Sequence, residues 1–206
     1  MLRVLITGFG RFPGAPFNPT AALARRLAAR RRPALADTWR IAHVFRTSYA
    51  AVGNDLPKLV ASHQPDVILL LGLAGRAPSV RVETRARNRI SLLFPDVDGR
   101  VPARPAIRAN QGALTGRAPF RGLAAAARAA HVPARLSRDA GTYLCNFAYF
   151  RAIEETSRSS HPPLVAFVHV PSIRSGMRRR GSRLTFTDLI RAGEAILVAL
   201  VAAATH

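Results

Sequence analysis

The single cysteine, Cys145, lies in Ala140-Gly141-Thr142-Tyr143-Leu144-Cys145-Asn146, where a glycine turn opens directly into a helical pattern. A thiol at a helix N-terminus feels the positive end of the helix dipole, which favours thiolate and hence nucleophilic chemistry. Unpaired cysteine is also among the most buried residue types, so a small hydrophobe in the core is the competing reading. A thiol nucleophile needs a base to take its proton and a third group to hold that base in one tautomer. Of the six histidines, His131, His161 and His206 fall at element ends or the terminus and His63 follows a helix, so these read as solvated. His43 and His169 lie in strands. His169 is the better base, because it sits at the C-terminal end of an apolar strand, the edge where open α/β sheets place their sites. A satisfied core histidine is its alternative. Most of the eleven acidic residues occupy turns or helix surfaces. Glu83 differs: it lies in Val80-Arg81-Val82-Glu83, just beyond the Gly72-Leu73-Ala74-Gly75 turn, and could also stand at the C-terminal edge of the sheet. On the residues alone, an ion pair with Arg81, Arg85 or Arg87 is the favoured reading of Glu83.

These side chains need a frame, and the hydrophobic pattern supplies one. Leu2 to Thr7 is a short apolar run that reads as a buried strand, and Asn18-Pro19-Thr20 offers an N-cap with proline at the first helical position, for a helix running to about Arg30. Trp39 to Phe45 reads as a strand, Ser48 to Ser62 as a helix, and Asp66 to Leu71 as a central strand buried on both faces. Val80 to Phe94 is extended but irregular, Pro95 to Gly99 is turn chemistry, and Pro102 to Gly116 is loop. Phe120 to His131 is helical, Ala134 to Ser137 a short strand, Tyr143 to Thr156 the helix of Cys145, Leu164 to Val170 a buried strand, and Thr187 to Ala203 a final helix. The alternation implies a three-layer α/β/α sandwich around a mixed, mostly parallel sheet.

With 206 residues and 49% hydrophobic content, the chain can bury one core, and residues 1–206 read as a single domain. A lone cysteine forms no internal disulfide and Met1 to Gly8 does not read as a secretion signal, so a cytoplasmic location is expected. The apolar segment Ala195 to Ala204 falls well short of the ~20 residues that span a bilayer, so no membrane partner is expected. The formal net charge of +20 suggests an anionic partner such as nucleic acid. Its distribution argues otherwise: Lys58 is the only lysine, and arginine is spread along an alanine-rich chain. Two clusters stand out, Arg30-Arg31-Arg32 and the group Arg174, Arg178, Arg179, Arg180 and Arg183. Both read as solvated loops, since no nucleic-acid motif accompanies them, and nucleic acid is not expected as a partner.

Four blocks in order, Thr7-Gly8-Phe9-Gly10-Arg11-Phe12 with Asn18-Pro19-Thr20, Gly72-Leu73-Ala74-Gly75 leading to Glu83 and Asn88, the Cys145 block, and Phe167-Val168-His169-Val170-Pro171, resemble the pyroglutamyl peptidase I (pyrrolidone-carboxyl peptidase) family of cysteine peptidases. The resemblance covers Leu2 to about Val201. It implies Cys145 as nucleophile, His169 as general base and Glu83 as the residue orienting the imidazole, on an α/β/α sandwich that often forms homo-oligomers. The implied reaction removes an N-terminal pyroglutamyl residue from a peptide through a thioester, with no cofactor and no metal. The resemblance also places Phe9 and Phe12 as aromatic grips on the flat lactam, with Asn18, Tyr143 and Leu144 in the binding site. Ordinary core packing is the alternative for the two phenylalanines.

The chain departs from the family pattern as well. Arg11 stands where the family usually has proline, and the glycine-arginine pair is displaced to Gly75-Arg76. The family's arginine ten residues after the glutamate is replaced by Leu93, and an aromatic-rich block is reduced to Ala113-Leu114-Thr115-Gly116. These changes imply a divergent branch with its triad kept and room for a shifted substrate range or efficiency. A catalytically weakened homologue that binds an anionic partner is the competing function.

Overall fold

A computed structural model of the chain describes residues 1–12, 17–173 and 184–205. The second arginine cluster and His206 lie outside the described residues. The order is β1 (Leu2–Phe9), α1 (Thr20–Ala28), β2 (Thr38–Phe45), α2 (Tyr49–His63), β3 (Val67–Leu73), β4 (Val80–Glu83), α3 (Phe120–Ala129), β5 (Ala134–Ser137), α4 (Leu144–Thr156), β6 (Leu164–Val170) and α5 (Phe186–Ala204). One 3₁₀ turn, Pro33–Leu35, precedes β2 and carried no distinct sequence signal.

The strands form one six-stranded sheet in the order β2-β1-β3-β6-β4-β5. All neighbours are parallel except β4 and β6, so the sheet is mixed and mostly parallel, as the alternation of elements implies. Side chains alternate across each strand, which divides the apolar residues into two cores. Val4, Ile6, Val67, Leu69, Leu71, Ala166 and Val168 face one way, against α1, α3 and α5. Leu5, Phe9, Ile68, Leu70, Val165 and Phe167 face the other way, against α2 and α4. The result is the expected three-layer sandwich. Strands buried on both faces have no polar side, which is why β3 and β6 read as unbroken apolar runs.

One expectation is made more specific and one is corrected. Of Val80 to Phe94 only the first four residues are strand. The remainder follows a loop held by side chains: Asn146 accepts from the Arg87 N–H (2.8 Å) and donates to the carbonyls of Arg87 (2.8 Å) and Arg89 (2.9 Å). The Arg30-Arg31-Arg32 cluster is not simply solvated either. Arg30 and Arg32 both donate to the Glu194 carboxylate on α5, tying the end of α1 across that layer. The start of α5 is fixed by a reciprocal capping box between Thr185 and Asp188. Among the described residues no helix is long and apolar enough to cross a membrane.

Candidate active site

The sheet face that packs on α2 and α4 carries the candidate residues, because strand alternation puts them there. His169 follows Val165 and Phe167 at every second position of β6. Gly72 of β3 pairs with His169 on one side, and Arg81 of β4 pairs with it on the other. Glu83, two residues beyond Arg81, points to the same face. Its position corrects the expectation of a C-terminal sheet edge. Because β4 runs antiparallel to β6, its C-terminal end runs into the sheet, and Glu83 lies opposite Phe167 with no solvent exposure.

From there Glu83 Oε1 meets His169 Nδ1 at 2.8 Å, and Oε2 accepts from the Asp139 N–H at 3.2 Å. Of the three arginines that could have paired with Glu83, only Arg81 approaches, at 3.9 Å. Arg85 donates to the Arg138 carbonyl (3.2 Å), and Arg87 pairs with Asp139 (3.2 Å). The imidazole is therefore the close partner of the carboxylate.

Cys145 is the second residue of α4. The turn before it requires Gly141, whose φ of +81° lies in the region that side chains rarely adopt. The thiol stands beside His169 at the same cavity, close enough to act on the charge of the imidazole. Gly72 makes that approach possible: a Cβ there would stand 2.8 Å from Cys145 Sγ and 2.6 Å from Phe167 Cζ. Burial alone would push the imidazole toward neutrality, but its hydrogen bond and charge interaction with Cys145, then those with Glu83, outweigh burial and raise its pKa to about 9.

Beside these residues lies a mainly apolar cavity of about 330 Å³. Phe9, Phe12, Asn18, Tyr143 and Leu144 all line it, together with Cys145 and His169; Glu83 stays beneath. Phe9 is core as well, its ring tilted against Phe45 at 5.7 Å. Asn18 is not the N-cap of α1 as expected, since Pro19 holds that position and Thr20 begins the helix; it braces the entry instead, accepting from the Thr20 N–H (3.1 Å) and donating to the Gly10 carbonyl (2.9 Å). Tyr143 donates to the Pro95 carbonyl (2.8 Å) and meets the edge of Tyr49. The pKa of Tyr143 is raised by burial first and then by Asp96 and Cys145. Asp96 anchors this wall. Burial opposes its charge, yet backbone N–H groups of Arg100, Tyr49 and Asp98 and the Ser48 hydroxyl hold its carboxyl below the usual range.

The cavity also takes Thr47, Leu73, Ala74, Arg81 and Asp139. Thr47 follows the end of β2, a sheet-edge position that could have flagged it; Arg81 read only as an ion-pair partner. Leu93 is 82% exposed and outside the lining. His43 stands 3.6 Å from Asp55, away from the cavity. His131 and His161 are exposed as expected, and His63 packs its ring against Trp39. Among the described residues no group of three or more His, Cys, Asp or Glu could hold a metal.

A thiol, an imidazole and a buried carboxylate gathered on one face of an α/β sheet are the equipment of a cysteine peptidase. The chain belongs to the pyroglutamyl peptidase family, whose model matches residues 2–204. It is 30% identical to the pyrrolidone-carboxylate peptidase of Thermococcus kodakarensis, over 93% of this chain and 100% of that protein. Its fold is similar to the solved pyrrolidone carboxyl peptidase from Thermococcus litoralis (26% identity, TM-score 0.88, 98% of this chain and 94% of the other). It is likewise similar to pyroglutamyl peptidase I of Bacillus amyloliquefaciens (27% identity, TM-score 0.85, 100% and 98%).

Proposed function

We propose that the protein removes N-terminal pyroglutamyl residues from peptides, with Cys145 as nucleophile, His169 as general acid and base, and Glu83 as the group that orients His169. The observation that carries this reading is the buried Glu83–His169 contact of 2.8 Å, aimed at a thiol beside an apolar cavity. An imidazole with a pKa near 9 holds its proton at neutral pH and can serve as the acid, while Cys145 reacts in its thiolate form. Cys145 Sγ adds to the acyl carbonyl carbon of pyroglutamate. Backbone N–H groups at the start of α4 are the natural donors to the oxyanion. The C–N bond breaks as His169 gives its proton to the leaving amine, and a thioester remains. Neutral His169 then takes a proton from water, the hydroxide adds to the thioester, and the C–S bond breaks to release pyroglutamate.

Phe9, Phe12, Tyr143 and Leu144 form the walls against the flat, uncharged lactam, and Asn18 shapes its mouth. A peptide with a free α-amino group would have to bring an ammonium ion against those walls, at a cost of several kcal/mol. One domain over residues 1–206 is supported by the single sheet that joins all described strands. Exposed Leu93, Phe94 and Val101 support a homo-oligomer. Binding of an anionic polymer has less support, because Arg30 and Arg32 are spent on Glu194.

The test is hydrolysis of a chromogenic pyroglutamyl amide. The wild type should turn it over, and Cys145→Ser or alkylation of the thiol should abolish turnover. Hydrolysis by Cys145→Ser at the wild-type rate would overturn the reading.

A further inference from the structure

Among the described residues lining the cavity, Arg81 is the only arginine. Its Nε is buried and has no hydrogen-bond partner among the described residues. Glu83 Oε1, 3.9 Å away, is already committed to His169 at 2.8 Å. Asp139, the other carboxylate at the cavity, accepts from the Gly141 N–H (3.0 Å) and pairs with Arg87 (3.2 Å). Buried donors are normally satisfied, so a guanidinium left incomplete in a cavity is suited to an anion brought by a ligand.

Its place in the sheet says which part of the ligand. Arg81 is the direct cross-strand partner of His169. In the reaction proposed above, His169 protonates the leaving amine, so the residue being released lies on the His169 side of the scissile bond. A carboxylate on that residue comes next to Arg81. In a pyroglutamyl dipeptide the free α-carboxylate is only two bonds from the scissile nitrogen.

We infer that Arg81 makes the enzyme selective for pyroglutamyl substrates whose leaving residue carries a carboxylate near the scissile bond, with pyroglutamyl dipeptides as the substrate class. The inference rests on the pyroglutamyl reading. The experiment compares kcat/KM for pyroglutamyl-alanine, pyroglutamyl-alanine amide and pyroglutamyl-aspartate amide, in wild type, Arg81→Met and Arg81→Lys. Using ratios within each protein cancels any effect that loss of Arg81 has on Glu83 and His169. The wild type should favour an acid over the alanine amide by about tenfold or more, as charge-assisted hydrogen bonds allow. Arg81→Met should bring that ratio close to one, and Arg81→Lys should keep part of it. A preference for pyroglutamyl-alanine assigns the recognised group to the α-carboxylate, and one for the aspartate amide assigns it to the side chain. Equal rates on all three substrates in the wild type, or a ratio unchanged in Arg81→Met, overturns the inference alone. Failure of the wild type on every pyroglutamyl substrate overturns the function and this inference with it.

Discussion

A single methyl group added at Gly72 should separate a working thiol from a misplaced one. The Cβ of Gly72→Ala would lie 2.8 Å from Cys145 Sγ and 2.6 Å from Phe167 Cζ, where ordinary contact begins at 3.4 Å. The gap to the sulfur must widen by about 0.6 Å and the gap to the ring by about 0.8 Å to reach that 3.4 Å. The ring has little freedom, since Phe167 is buried between Tyr149 (5.5 Å) and His169 (4.9 Å). The clash with the ring therefore displaces β3, and the clash with the sulfur displaces the thiol or adds to that shift. A misplacement near 1 Å costs on the order of 10²-fold in rate. Overpacking of a tight core costs about 1–3 kcal/mol, or roughly 2–10 °C in a domain of this size. The expected result is a folded Gly72→Ala protein with kcat/KM on a pyroglutamyl amide reduced about tenfold to a hundredfold and a lowered Tm. Gly75→Ala is the control, because its Cβ would meet only the Ser172 hydroxyl, at 3.2 Å. A Gly72→Ala protein with wild-type turnover and wild-type Tm would refute the idea that this glycine holds space for the sulfur.

The pH profile and Leu93 provide two further tests. The protonated form of His169 is present below its pKa of about 9 and lost above it, so kcat/KM should fall on an alkaline limb near pH 9. Glu83→Gln removes one of the influences that raise the pKa, so the limb should move toward the ordinary 6.5; a limb left in place would show that Glu83 does not set it. By linkage, the stability contributed by His169 is complete below about pH 6.5 and lost as pH rises through about 9, which denaturant titration across that window checks. Leu93→Arg should leave turnover within about twofold, because the side chain is exposed and outside the cavity lining; a large gain would show that this position still sets activity.

Most strands and helices could be read from the chain because their burial leaves a direct trace. Ala134–Ser137 and Leu164–Val170 coincide with the structure, and α4 starts within one residue of its expected position. The candidate triad residues also came forward, since Cys145 and His169 each sit at the end of a recognisable pattern. The direction of β4 could not be read, because four residues carry no signal for parallel or antiparallel pairing. Glu83 therefore looked like an edge residue when it is buried deep in the sheet. Gly72 looked like the beginning of a turn, whereas it lies within β3 and its missing side chain is what matters. Arg30 and Arg32 looked solvated because Glu194, more than 160 residues later, is beyond the reach of any local pattern.

The antiparallel strand accounts for both the buried carboxylate and the cation at the cavity. Two residues along a strand span about 6.6–6.8 Å on one face. With β4 reversed relative to β6, that step carries the chain from Arg81, beside His169 at the cavity, to Glu83, sealed beneath it. A parallel β4 in the same register would exchange the two ends, placing the carboxylate nearer water and the guanidinium in the interior. The charges follow the same logic. In the reacting state proposed here, thiolate, imidazolium and carboxylate together carry one net negative charge, and burying net charge is unfavourable. Arg81 at 3.9 Å from Glu83 brings the group to neutrality. An incoming carboxylate then meets a balanced site with one donor-rich cation still short of a partner, which is the condition for recognising an anion on the leaving side without drawing it onto the thiolate.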